Sequence, residues 1–199
     1  MPTRARERLV QAAEDLFYAE GIRAVGVERL LERSGVGRAS FYRHFASKDD
    51  LVSAVLRERD EKWRRALAEN VASRGDDPLA LFDALEADFG GDDYRGCSFI
   101  NAMAEIADTD HAVYRLAEDH KRAVTGYVGE LLAKAGYTEH AELAAQFVLL
   151  LDGAIVTALR LRSPEPARRA RAIAETLLNA ASRTAPPSIE GGGREGDPG

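Results

Sequence analysis

Leu9, Ala12, Ala13, Leu16 and Phe17 recur at steps of three and four between charged positions, the stripe of an amphipathic helix that the pattern places over about 3–20. Thr3 is placed to cap its start and Gly21 to stop it, because glycine takes the left-handed conformation that closes helices at little cost. Val27, Leu30 and Leu31 mark a short second helix over 27–34, closed by Gly35. After the turn Gly35-Val36-Gly37 the helical pattern resumes over 38–45 through Phe41 and Phe45. Two helices joined by a three-residue turn make a helix-turn-helix. Ser47 followed by Lys48-Asp49-Asp50 starts a fresh helix over 48–73, with a capping hydroxyl and acids where the helix dipole favours them.

Beyond residue 74 the same reasoning predicts helices over 79–89, 98–107, 112–135, 139–162 and 166–183, separated by polar, Gly- or Pro-containing breaks. No period-2 pattern marks a strand, so the expected fold class is all-α. The longest apolar run, 147–161, falls short of the roughly 20 residues of a membrane span and carries Asp152, which points to a buried helix. The Pro- and Gly-rich stretch 184–199 reads as a disordered tail.

Composition narrows the class. With 199 residues, 45% hydrophobic and 30% charged, the chain can bury a core and is not compositionally disordered. The start MPTRARERLV has no apolar stretch of the secretory kind, so a cytoplasmic location is expected. A single cysteine, Cys97, excludes an internal disulfide, and no clustered Cys/His spacing suggests zinc, so neither metal nor cofactor is expected. The net charge of -6 hides an asymmetry: residues 1–48 hold nine Lys/Arg against six Asp/Glu. Arg33, Arg38, Arg43 and Lys48 lie in a stretch without any acid, an anion-binding surface in an otherwise acidic chain.

The chemistry of that stretch suits a duplex. The second helix of the pair is expected to present Arg38, Ser40, Tyr42, Arg43 and His44 outward, while Phe41 and Phe45 hold it to the core. Arginine forks onto guanine or phosphate, serine and tyrosine bond phosphates or base edges, and Lys48 sits at a helix start that itself favours phosphate. Arg4, Arg6 and Arg8 either form an arm along the DNA backbone or a plain solvated N-terminus.

The run 21–52, GIRAVGVERLLERSGVGRASFYRHFASKDDLV, with its Phe-Tyr-x-x-Phe and Ser-Lys-Asp-Asp-Leu signatures, resembles the DNA-binding domain of TetR-type one-component transcriptional regulators. The resemblance is strong over about the first 60 residues. It implies a helix-turn-helix domain over 1–47 and a helical ligand-binding and dimerisation domain over 48–183. It places Arg38, Ser40, Tyr42, Arg43 and His44 on the recognition helix and Lys48 on the phosphate-binding start of the next helix. It also implies a homodimer, of repressor type, that binds a palindromic double-stranded operator and is released by a small-molecule effector, with no covalent chemistry. Two departures bear on contacts: Val25-Gly26 stands where many members have a Thr/Ser pair, and Gly37 where a serine commonly opens the recognition helix. A hydroxyl contact to phosphate is missing at each.

In the middle helices His120 interrupts the apolar stripe Val113, Leu116, Ala117, Val124, Tyr127 and Leu131, and a buried polar group needs a partner. It is either a core histidine satisfied by a carbonyl or carboxylate or a pocket residue. Phe99, Met103, Tyr127 and Phe147 line either plain core or a pocket, and Asn101 and Asp152 either orient a ligand there or make ordinary capping or core hydrogen bonds. Ala- and Leu-rich 139–162 and 166–183 suit a four-helix dimer interface. Glu105, Asp108, Asp110, His111, Asp119 and His120 crowd into sixteen residues, yet their spacing matches none of the usual metal patterns. The reading from another class is a helical small-molecule-binding protein without DNA activity.

Overall fold

The computed structural model describes residues 2–183 except 90 and 92; the stretch 184–199, expected to be disordered, lies outside the described residues. Among the described residues there are nine helices and no strand: α1 (Pro2–Glu20), α2 (Val27–Ser34), α3 (Arg38–His44), α4 (Lys48–Ala72), α5 (Ala80–Asp88), α6 (Ser98–Glu105), α7 (Ala112–Lys134), α8 (His140–Leu161) and α9 (Glu165–Ala180). The all-α expectation holds.

Local chemistry explains most of the boundaries. Gly35 ends α2 at φ 63°, in the left-handed region that strains side chains other than glycine, and donates its N–H to the Leu31 carbonyl. Ser47 and Asp50 form a reciprocal capping box at the start of α4. Thr3, expected as a cap, instead falls inside the first turn of α1, which already includes Pro2.

Two predicted ends overshoot by more than one residue, each because the chain is pulled away by a tertiary contact. Helix α6 stops at Glu105 rather than 107: Ile106 turns extended and packs on the N-terminal core. Helix α9 stops at Ala180 rather than 183, because the Ser182 carbonyl accepts the Thr138 N–H at 3.2 Å and Arg183 bridges to Tyr137.

Two hydrophobic clusters divide the molecule. One lies among α4, α5, α7, α8 and α9, centred on Phe82 and Phe147 with ring centroids 5.5 Å apart. The other joins α1, α2, α3 and the first half of α4, and it also takes in Phe99 and Ala102 of α6 and Val113 and Ala117 of α7. The division expected at residue 47 therefore does not coincide with a break in packing, since Leu51, Val52, Val55 and Leu56 belong to the N-terminal cluster. By length and composition α8 alone among the described helices could cross a membrane; here Phe147, Leu151, Ala154 and Ala158 are buried in the fold.

Helix α2 lacks a side-chain cap: its N-cap is Gly26 at φ -84° and ψ 165°, a conformation serine adopts without strain, and a Cβ there would meet nothing within 4 Å. Gly26→Ser should therefore stabilise the fold by about 0.5–1 kcal/mol, through a new cap and a less flexible unfolded chain, read as a raised midpoint in urea.

Candidate nucleic-acid interface and internal cavity

Helix α3 is pinned from below by Phe41, fully buried, and by Phe45, which caps it. That leaves Arg38, Ala39, Tyr42 and Arg43 exposed, with Ser40 and His44 half-buried. Arg38 pairs with Glu28 of α2, and Arg43 bonds the Ser40 hydroxyl at 3.0 Å. Arg43 has no carboxylate partner among the described residues, and Tyr42 is 49% exposed. His44 differs from its expected outward placement: its Nε2 is buried and makes no hydrogen bond among the described residues. Ala39 was missed because a small apolar side chain carries no charge signal, although on this face its methyl suits contact with thymine.

Lys48 is not simply a free cation at a helix start. Its Nζ donates to the carbonyls of Ile22 (3.0 Å) and Val25 (3.2 Å), and so braces the turn between α1 and α2. From the other side the Glu105 carboxylate accepts the N–H groups of Ile22 (3.0 Å) and Arg23 (2.8 Å). Gly21 fits this grip because its φ is 92° and a Cβ would come within 3.2 Å of Glu105. Nothing in the spacing pointed to Glu105 in this role, which joins residues 83 positions apart. Arg6 is likewise engaged, with Glu58 at 2.8 Å and over the Phe45 ring, whereas Arg4 and Arg8 are exposed.

A cavity of about 400 Å³ lies between α1, α4, α5, α6, α7 and α8, within the range of small-molecule sites. Phe99, His120 and Asp152 from the sequence-derived set line it; Tyr18, Trp63 and Tyr94 line it too and were not in that set. The others lie elsewhere. Phe147 is fully buried against Phe82, and Met103 packs on the N-terminal cluster. Tyr127 lines a separate surface groove, while Asn101 donates to the Arg95 carbonyl at 2.9 Å beside a void of about 30 Å³.

His120 combines both of its readings. It is buried, stacked on Phe99 with centroids 3.6 Å apart, and its Nδ1 lies 2.7 Å from Asp60 Oδ1. Burial works against the Asp60 carboxylate, but hydrogen bonds from Arg64 and His120 outweigh it and hold the group below its ordinary value. Burial likewise depresses the imidazole, against the pull of Asp60, so the ring is neutral near pH 7, with Nδ1–H donating.

The crowded acids and histidines of 105–120 disperse into separate structural roles. His111 accepts the Val113 N–H and faces Asp49, Asp110 pairs with Arg115 and Asp119 with Arg122. Among the described residues no three such groups converge on a point.

The family model described as "Bacterial regulatory proteins, tetR family" matches residues 9–55. A TetR-family transcriptional regulator from Streptomyces coelicolor superposes with a TM-score of 0.82 at 34% identity, covering 91% of this chain and 97% of that one. The chain belongs to the TetR family. A TetR-type regulator from Streptomyces avermitilis is 29% identical with a TM-score of 0.77, over 90% and 99% of the two chains. The transcriptional regulator YjdC of Escherichia coli is 28% identical over 177 residues, 87% of this chain and 93% of its own length. TetR-family proteins are regulators rather than enzymes, so the chain is a transcriptional regulator with a helix-turn-helix DNA-binding domain.

Two outcomes follow from these contacts. Lys48→Met should lower folding stability by about 1–2 kcal/mol in urea unfolding, since two carbonyls lose a charged donor; a pure phosphate ligand would leave stability unchanged. Because folding depresses the His120 pKa, the unfolded chain takes up the proton first as pH falls. Stability should thus decline from about pH 7 towards pH 5, and His120→Asn should flatten that decline.

Proposed function

We propose that the protein is a cytoplasmic homodimeric repressor that binds a palindromic operator through Arg38, Ser40, Tyr42 and Arg43, with Lys48 at the backbone, and releases it when a small effector fills the cavity. The observation that carries this reading is the sharing of elements: α1, α4 and α6 each touch both the cavity and the DNA-binding unit. Helix α4 runs from the Lys48 brace to Trp63 and Leu67 on the cavity wall. Helix α6 begins with cavity-lining Ser98 and Phe99 and ends with Glu105 on the α1–α2 turn. An effector that prefers one tilt of α4 and α6 would move the two recognition helices off the half-site spacing, to the extent that its affinity differs between the conformers.

The dimer half of the proposal rests on an uncovered face. Leu149 (74% exposed), Gly153 and Val156 on α8 and Ile173 (51%) on α9 point away from the fold. A Cβ on Gly153 would meet nothing within 4 Å, leaving room for a close helix of a second copy. The alanines Ala154, Ala158, Ala170 and Ala174, by contrast, pack α8 on α9 within one chain.

Selection of bound duplexes from a random pool should enrich a palindrome, with affinity falling steeply as salt rises; no enrichment by folded protein would favour a helical ligand-binding protein without DNA activity. Tyr42→Ala should weaken binding to every enriched sequence by about tenfold or more, in a filter-binding titration. Leu149→Glu should give a monomer in sedimentation and lose operator binding with it.

A further inference from the structure

The charges on the cavity wall do not balance, and their pairing decides which sign is free. Lys121 is bound to Asp152. Arg59 is held by Glu14 at 3.1 Å and lies over the Tyr18 ring, 4.6 Å from its centroid. Both cations on the wall are therefore already engaged. Asp88 and Asp93 also line the cavity; neither has an ion-pair partner among the described residues, and Asp88 accepts a hydrogen bond from the Trp63 indole. Beside them stand the faces and edges of Trp63, Phe89, Tyr94 and Phe99, with Phe89 and Tyr94 centroids 5.0 Å apart. Ser98 adds a hydroxyl that lines the same space without a hydrogen bond among the described residues.

Exposed carboxylates without an ion-pair partner, set against an aromatic wall, are complementary to one ligand chemistry. A positive group gains from the ring quadrupoles and from the unpaired acids together, whereas an anion would have to displace Asp152 from Lys121 or Glu14 from Arg59. We propose that the cavity takes an amphipathic organic cation, an aromatic or aliphatic body carrying one ammonium-type charge, with Asp88 as the principal counter-charge and Asp93 as the second. This rests on the reading of the cavity as an effector site. Burial raises the Asp88 carboxyl, a cost that the Arg59 charge and the Trp63 indole offset only in part, and that a bound cation would relieve.

Trp63 is the only tryptophan, so its fluorescence reports on this cavity alone. The test titrates three probes of one shape into the full-length protein: (biphenyl-4-ylmethyl)trimethylammonium, its neutral isostere 4-neopentylbiphenyl, and biphenyl-4-acetate. The proposal expects the cation to bind at least tenfold more tightly than the other two. Asp88→Asn should reduce that binding by about tenfold while changing the neutral probe by less than twofold. A neutral or anionic probe binding as well as the cation, or Asp88→Asn weakening all probes alike, would overturn the cation assignment and leave the cavity standing. Failure of all three to perturb Trp63 in folded protein would overturn the effector cavity itself.

Discussion

The turn at 21–26 is gripped from two sides by groups that belong to different parts of the chain. Its carbonyls are held by the Lys48 ammonium and its amides by the Glu105 carboxylate, so the spacing between α1 and α2 depends on where α4 begins and where α6 ends. The same dependence runs through the apolar interior. Phe99, Ala102, Val113 and Ala117 complete the core under the helix-turn-helix, which therefore has no closed core of its own. A recognition helix only seven residues long owes its orientation to that packing, since isolated helices of this length do not persist in water.

This arrangement gives the cavity a physical route to the DNA face. Phe99 is shared by both sites: one side of its environment is the N-terminal core, and its ring also stacks on His120 at the cavity wall. Tyr18 lines the cavity from α1, and its hydroxyl holds the loop before α6 by accepting the Arg95 N–H at 2.9 Å and donating to the Gly96 carbonyl at 3.2 Å. Any ligand that shifts these rings changes contacts that orient α3. Packed interiors respond to such shifts by moving whole elements rather than by local compression.

The helices were legible in the sequence because their signals are local: the stripes of α1 and α7, the Gly35 stop, and the Ser47 and Asp50 box all act within a turn or two. The exposed part of the recognition helix was legible for the same reason, through the placement of Phe41 and Phe45. What was not legible depends on contacts far apart in sequence. Lys48 reads as a phosphate cation until Ile22 and Val25 are seen beside it, and Glu105 reads as one acid in a cluster until its 83-residue reach is known. The cavity was only partly foreseen. His120 and Asp152 were found because a polar residue interrupts an apolar stretch, and Phe99 as an aromatic of the middle helices, but Trp63 and Tyr94 sit in segments whose patterns say nothing about a cavity.

The dependence of the helix-turn-helix on α6 is open to direct measurement by native-state hydrogen exchange on Phe99→Leu, a substitution mild enough to keep the fold. Amides of α1, α2 and α3 should lose protection together with those of α6, although Phe99 lies more than fifty residues beyond the end of α3 in sequence. Loss of protection confined to α5–α9, with α1–α3 unchanged, would contradict a shared core and separate the cavity from the DNA-binding unit.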